Sequence, residues 1–158
     1  MSATKRVLFV CTGNTCRSPM AEAMFREAIK GRDDFDVASA GVAASRGDSA
    51  SRETLSVLKS RNVPLADFRS QAVNADLLDW ATHVFAMTSG HLAVLESRWP
   101  AHTEKFYLLG EFAGESAHRS EVPDPIGMGR EAYEEVATVF EKAIPAIIAY
   151  CDALPPES

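Results

Sequence analysis

Val7-Leu8-Phe9-Val10-Cys11-Thr12-Gly13-Asn14-Thr15-Cys16-Arg17-Ser18-Pro19-Met20-Ala21-Glu22-Ala23 is the stretch that decides the fold. Four apolar residues, a short polar loop and a helix-forming segment read as strand, turn and helix. Pro19 suits the first turn of that helix. A strand of this kind ends at the carboxyl edge of a sheet. The loop behind it can converge its amide hydrogens on one anion, helped by the positive end of the helix dipole. A cysteine, five residues, then Arg-Ser at that turn points to thiol chemistry on phosphate. Cys11 is expected beneath the anion as nucleophile, because helix N-termini and nearby cations favour the reactive thiolate. Arg17 is expected to span two phosphate oxygens with its planar fork. Ser18 can donate to the sulfur, and Thr12, Gly13, Asn14, Thr15 and Cys16 complete the cradle. Gly13 and Asn14 tolerate the positive φ that such a curled loop requires.

The chemistry also needs an acid for the departing group. Glu121-Val122-Pro123-Asp124-Pro125-Ile126-Gly127 offers Asp124, held between two prolines that stiffen the chain on both sides. Alone, a buried cysteine reads as structural and an Asp-Pro pair as a turn. Each gains weight from the other.

Working outward, strands and helices alternate, the pattern of a doubly wound α/β sheet. Strands are expected over 5–10, 35–39, 83–87 and 105–109. Helices are expected over 19–30, 51–62, 74–80 and 130–150, with another capped by Ser89 and running to Arg98. The first helix should bury Ala21, Phe25, Ala28 and Ile29, and the second Leu55, Val57 and Leu58. The last should bury Tyr133, Val136, Ala137, Phe140, Ile144 and Ile147, with Pro145 bending it. Four parallel strands in flavodoxin-like order 2-1-3-4, with helices on both faces, put the first loop at the topological switch point.

The 158 residues are expected to form a single domain, with the tail from Pro155 disordered. A chain of this size buries roughly 70% of its unfolded surface and needs no disulfide or metal to hold a core. Three cysteines, an odd count, and no leader-like segment argue for a reducing cytoplasm. No apolar segment near membrane-spanning length occurs. The formal charge of −6 disfavours nucleic acid as a partner. His83, His91, His102 and His118 show no ligand spacing, so no metal site is expected, and Trp80 and Trp99 read as packing anchors. Glu111, Glu115, His118 and Arg119 lie in a long loop before Asp124 that can rim the site.

Cys11 to Glu22, the Ser39-Ala40-Gly41 turn, Ala86-Met87-Thr88 and Asp124-Pro125 together resemble the low-molecular-weight protein tyrosine phosphatase family, from Arg6 to about Tyr150. The resemblance implies a metal- and cofactor-independent phosphatase of phosphoproteins. It implies a phosphocysteine on Cys11, phosphate held by Arg17 and loop amides, and Asp124 as acid and then base. It also implies that Cys16 can pair reversibly with the nucleophile under oxidation. The string Cys-Thr-Gly-Asn-Thr-Cys-Arg-Ser-Pro-Met-Ala-Glu is most similar to the bacterial protein arginine phosphatase branch, where threonine at the position of Thr15 goes with phosphoarginine. Members acting on phosphotyrosine usually carry an aliphatic residue there and aromatic walls nearby. This chain has Val42-Ala43-Ala44-Ser45 and Ile126-Gly127 instead. It departs from the arginine branch at Ile126, where an aromatic is usual. Asp67 stands near where many members have a histidine that supports the loop through Asn14 and a serine such as Ser39.

Protein tyrosine phosphatase is the alternative activity. Arsenate reductase is less favoured, since it needs shuttling cysteines and none lies between Cys16 and Cys151. A silent phospho-anion binding module would be expected only if Cys11, Arg17 or Asp124 were replaced.

Overall fold

A computed structural model describes residues 4–65, 67–114 and 121–153. The opening apolar run forms strand β1, Lys5–Cys11. It is apolar on both faces because both are covered. Val7, Phe9 and Cys11 join one core, while Leu8 and Val10 join the other. The second strand, β2 (Phe35–Gly41), pairs parallel to β1 on one side. The third, β3 (His83–Ala86), pairs parallel on the other. The fourth, β4 (Phe106–Leu108), pairs parallel to β3, giving the expected order β2-β1-β3-β4. The chain therefore leaves β1 in one direction and returns to its opposite side. The carboxyl end of β1 thus lies at the switch point, where open α/β sheets bind ligands.

Helices α1 (Arg17–Ala28), α2 (Arg52–Ser60) and α5 (Arg130–Ala153) cover the first face. Helices α3 (Ala75–Trp80) and α4 (Ser89–Arg98) cover the second. Phe9 centres the first core, with its ring 5.6 Å from that of Phe25 and 5.9 Å from that of Phe85. The expected α5 stripe from Tyr133 to Ile147 is buried throughout. Trp80 and Trp99 pack partly buried against the second core, as anchors.

Several expectations shift. Leu55 is exposed, because Thr54, Val57 and Leu58 take the buried face of α2. The Thr54 hydroxyl donates to the Cys16 carbonyl, and that bond fixes the helix's rotation. Ala28 is exposed too; the buried stripe of α1 runs Ala21, Phe25 and Ile29, each one turn apart. Thr88, not Ser89, caps α4: its Oγ1 accepts from the His91 amide at 3.2 Å. Ser89 instead gives its amide and hydroxyl to Glu121. Pro145 sits within α5 without ending it. It lies on the exposed side, where the carbonyl that loses its intrahelical partner can be hydrated. The tail from 155, and Glu115, His118 and Arg119, lie outside the described residues.

Gly41 ends β2 beside Cys11. A Cβ there would collide with the Thr12 carbonyl oxygen and come within 2.8 Å of the Ala44 Cβ. Gly41→Ala is expected to cost about 1–3 kcal/mol, as overpacking does. Urea denaturation checks this, and an unchanged midpoint contradicts it.

Candidate active site

The loop from Cys11 to Ser18 is held from outside through its carbonyls. Those of Cys11 and Thr12 accept from the Val42 and Ala43 amides, at 2.9 and 3.0 Å. That of Thr15 accepts from the Ser51 amide at 2.8 Å, and that of Cys16 from the Thr54 hydroxyl at 3.0 Å. A trans peptide points its N–H opposite to its C=O. Tethering these carbonyls outward therefore turns the amides of Thr12, Gly13, Cys16 and Arg17 away from the tethers, towards the concave side. Gly13 is not among the positive-φ residues; Asn14 alone in the loop takes that conformation, at φ 56°.

Asn14 is fully buried and anchors the interior. Its Oδ1 accepts from the Gln71 amide at 2.9 Å, so its Nδ2 faces two hydroxyls. Nδ2 donates to Ser18 Oγ at 2.8 Å and to Ser39 Oγ at 2.9 Å. Ser39 in turn donates to Glu22 Oε1 at 2.7 Å, and Arg26 donates to the other oxygen of that carboxylate at 2.9 Å. Asp67 takes no part in this network, which is complete without a histidine and ends on Glu22. Ser18 Oγ lies 2.8 Å from Cys11 Sγ. Ser18 accepts from Asn14 and still has a proton that it can donate to the sulfur.

Arg17 is buried at the start of α1, and its Nη1 donates to the Val122 carbonyl at 3.0 Å. Its Nη2 lies 3.9 Å from Asp124 Oδ2. Asp124 is half exposed, with Oδ1 accepting from the Ile126 amide at 3.1 Å and Oδ2 on the Arg17 side. The expected nucleophile, cation and acid therefore meet at one mouth. Ile126 and Met128 are exposed beside Asp124, at 63% and 69%. Val42 and Ala43 hold the Cys11 and Thr12 carbonyls from outside the loop, and Val42 packs against the second core. The residues that follow β2 and Asp124 are thus small or aliphatic.

Thr15 Oγ1 lies 3.8 Å from Cys16 Sγ. Cys11 and Cys16 are both free and buried. Cys16 Sγ also lies 3.4 Å from the Tyr133 hydroxyl, whose pKa is pushed up to about 12 by burial and by the cysteine. Among the described residues no cluster of three His, Cys, Asp or Glu side chains could hold a metal ion.

Residues 6–154 match the family model for low molecular weight phosphotyrosine protein phosphatase. The chain belongs to that family. A protein-arginine-phosphatase of Geobacillus stearothermophilus is 41% identical over 139 residues, covering 88% of this chain and 90% of the relative. A low molecular weight protein tyrosine phosphatase from T. tengcongensis superposes with a TM-score of 0.86 at 38% identity, covering 93% of this chain and 99% of that one. A YwlE arginine phosphatase, solved as a cysteine-to-serine mutant with phosphorylated active site serine, superposes with a TM-score of 0.85 at 30% identity, over 94% and 96% of the two chains.

Two members of this phosphatase's site were not singled out from sequence. Glu22 carried a signal, a lone carboxylate inside the apolar run Met20 to Met24. His91, which has no ligand spacing in the sequence, is buried with Nε2 2.7 Å from Thr12 Oγ1 and Nδ1 3.0 Å from Thr88 Oγ1. Burial, then the Arg17 charge, pushes its pKa down to about 4, against the opposing pull of Glu121 and Asp124. Neutral His91 therefore belongs to the folded state. Its stabilisation is full above pH 6.5 and is lost as pH falls towards 4, because the unfolded chain takes the proton first. His91→Gln should reduce the stability lost between pH 7 and 4.5 by on the order of 2 kcal/mol. Urea denaturation at the two pH values checks this; equal losses in both proteins contradict it.

Proposed function

We propose that the chain is a protein arginine phosphatase working through a phosphocysteine on Cys11. Cys11 Sγ attacks phosphorus in line while the P–N bond to the guanidinium breaks. Asp124 gives its proton to the departing nitrogen, and arginine is released. Asp124, now a carboxylate, takes a proton from water, whose oxygen attacks phosphorus as the P–S bond breaks and phosphate leaves. The Ser18 hydroxyl stabilises the sulfur as nucleophile and as leaving group. The Arg17 guanidinium and the inward amides of the cradle, those of Thr12, Gly13, Cys16 and Arg17 among them, hold the phosphoryl oxygens as charge builds on them. General acid catalysis of this kind contributes on the order of 10²–10⁴-fold.

The lack of an aromatic residue after β2 and after Asp124 bears on the choice of substrate. Val42-Ala43-Ala44-Ser45 and Ile126-Gly127 give a phenyl ring little to stack on, and the exposed Ile126 and Met128 suit the methylene stem of arginine. Thr15 supplies a hydroxyl beside the reaction centre, able to bond water or a guanidinium nitrogen, and Asp124 Oδ2 can pair with the guanidinium. The 41% identity to a protein-arginine-phosphatase supports this reading. Tyrosine phosphatase is the second reading, favoured by the family description and by the T. tengcongensis neighbour. Arg17 and Asp124 serve either substrate, so the cysteine mechanism is common to both.

Phosphorylated proteins are the partners this reading requires. A reducing cytoplasm is the compartment it assigns, supported by three free thiols. No helix among the described residues is long and apolar enough to cross a membrane.

Matched phosphoarginine and phosphotyrosine peptides test the proposal without added metal and under reducing conditions. The expected result is a larger kcat/KM on phosphoarginine, with Thr15→Ile moving the ratio towards phosphotyrosine by about tenfold or more, a loss of about 1.4 kcal/mol in discrimination. A wild-type preference for phosphotyrosine contradicts the arginine assignment, and an unchanged ratio removes Thr15 from it.

A further inference from the structure

The first turn of α4 touches both halves of the site. His91 on that turn reaches Thr12, the residue next to Cys11, at 2.7 Å. Ser89, two residues earlier, binds the Glu121 carboxylate with its amide at 2.9 Å and with its hydroxyl. Glu121 opens the segment that carries Asp124. The next residue, Val122, donates its amide to the Met87 carbonyl and accepts from Arg17. One helical turn therefore ties the loop of the nucleophile to the segment of the acid.

The polarity of the His91 contacts is consistent with neutral imidazole. Thr88 Oγ1 accepts from the His91 amide, and its single proton can go to Nδ1. Nε2–H then donates to Thr12 Oγ1. Thr12 is exposed, and its carbonyl is already held by Ala43. The histidine contact thus supplies the side-chain restraint on the first residue of the cradle.

Resting on the reading above, we propose that His91 is a positioning residue for phosphoryl transfer, acting through Thr12 Oγ1 to hold the first turn of the phosphate loop. It touches neither substrate nor reacting atoms. Its function is to keep the Thr12 and Gly13 amides aimed at the phosphoryl group while the same helical turn holds the acid segment in place.

The test is a double-mutant cycle on the full chain with a phosphoarginine peptide, using His91→Leu, Thr12→Val and both together, with His91→Gln as the conservative variant. Each single change should lower kcat by about tenfold with KM changed less than threefold, since small misplacements in a catalytic cradle cost up to about 10²-fold. The double variant should be no more than about twofold below the worse single. His91→Gln, which keeps an N–H near the Nε2 position, should recover to within about threefold of wild type. Additive losses, or a His91→Gln protein as impaired as His91→Leu, overturn the proposal even if His91→Leu folds poorly. A fully active Thr12→Val protein overturns it as well. Wild-type protein that hydrolyses neither phosphoarginine nor an aryl phosphate overturns the functional reading instead, and this proposal with it.

Discussion

The site depends on the orientation of one buried amide. Asn14 Oδ1 is committed to the Gln71 amide, so Nδ2 must face Ser18 and Ser39. Ser39 can satisfy this arrangement because Glu22, which only accepts, takes its hydroxyl proton. The hydrogen bonds from Gln71 to Glu22 then have fixed directions, and at the other end the Ser18 hydroxyl, already accepting from Asn14, keeps a proton it can give to Cys11 Sγ. A carboxylate within α1 is thereby linked through Ser39, Asn14 and Ser18 to the sulfur at the end of β1. Such networks are costly when incomplete. Among the described residues no buried side-chain nitrogen or oxygen lacks a partner.

The fold brings these groups together without long reach. β1 delivers Cys11, α1 delivers Arg17, Ser18 and Glu22, and β2 delivers Ser39. The segment after α2 pairs with Gly41 through an isolated bridge at Ala72, which brings the Gln71 amide to Asn14. All of them meet at the carboxyl edge of the sheet, where β1 has neighbours on both sides. Gly41 is required there because the Thr12 carbonyl occupies the space a side chain would fill.

Much of this was legible in the sequence for physical reasons. A two-faced apolar strand followed by a polar turn fixes both β1 and its central place in the sheet, and the Cys-to-Arg-Ser spacing marks the cradle. The last-helix stripe from Tyr133 to Ile147 follows from periodicity alone. Other features depend on tertiary contacts that periodicity does not carry. Leu55 was expected inside, but the rotation of α2 is set by Thr54 bonding Cys16. Ser89 was expected to cap α4, but Glu121, distant in sequence, claims it. Glu22 is a carboxylate in an apolar run, but its role depends on Ser39, which lies on β2. His91 carried no comparable signal, because its meaning comes from Thr12, which only the closed fold brings near.

The network presents the Cys11 sulfur as the group that takes the phosphoryl. Rapid acid-free quenching of the wild-type protein during turnover of a phosphoarginine peptide, followed by mass spectrometry, tests it most directly. A phosphate adduct is expected on the peptide containing Cys11, formed and consumed at rates that match turnover. An adduct on another residue, or full turnover with no adduct at Cys11 on that timescale, would contradict it.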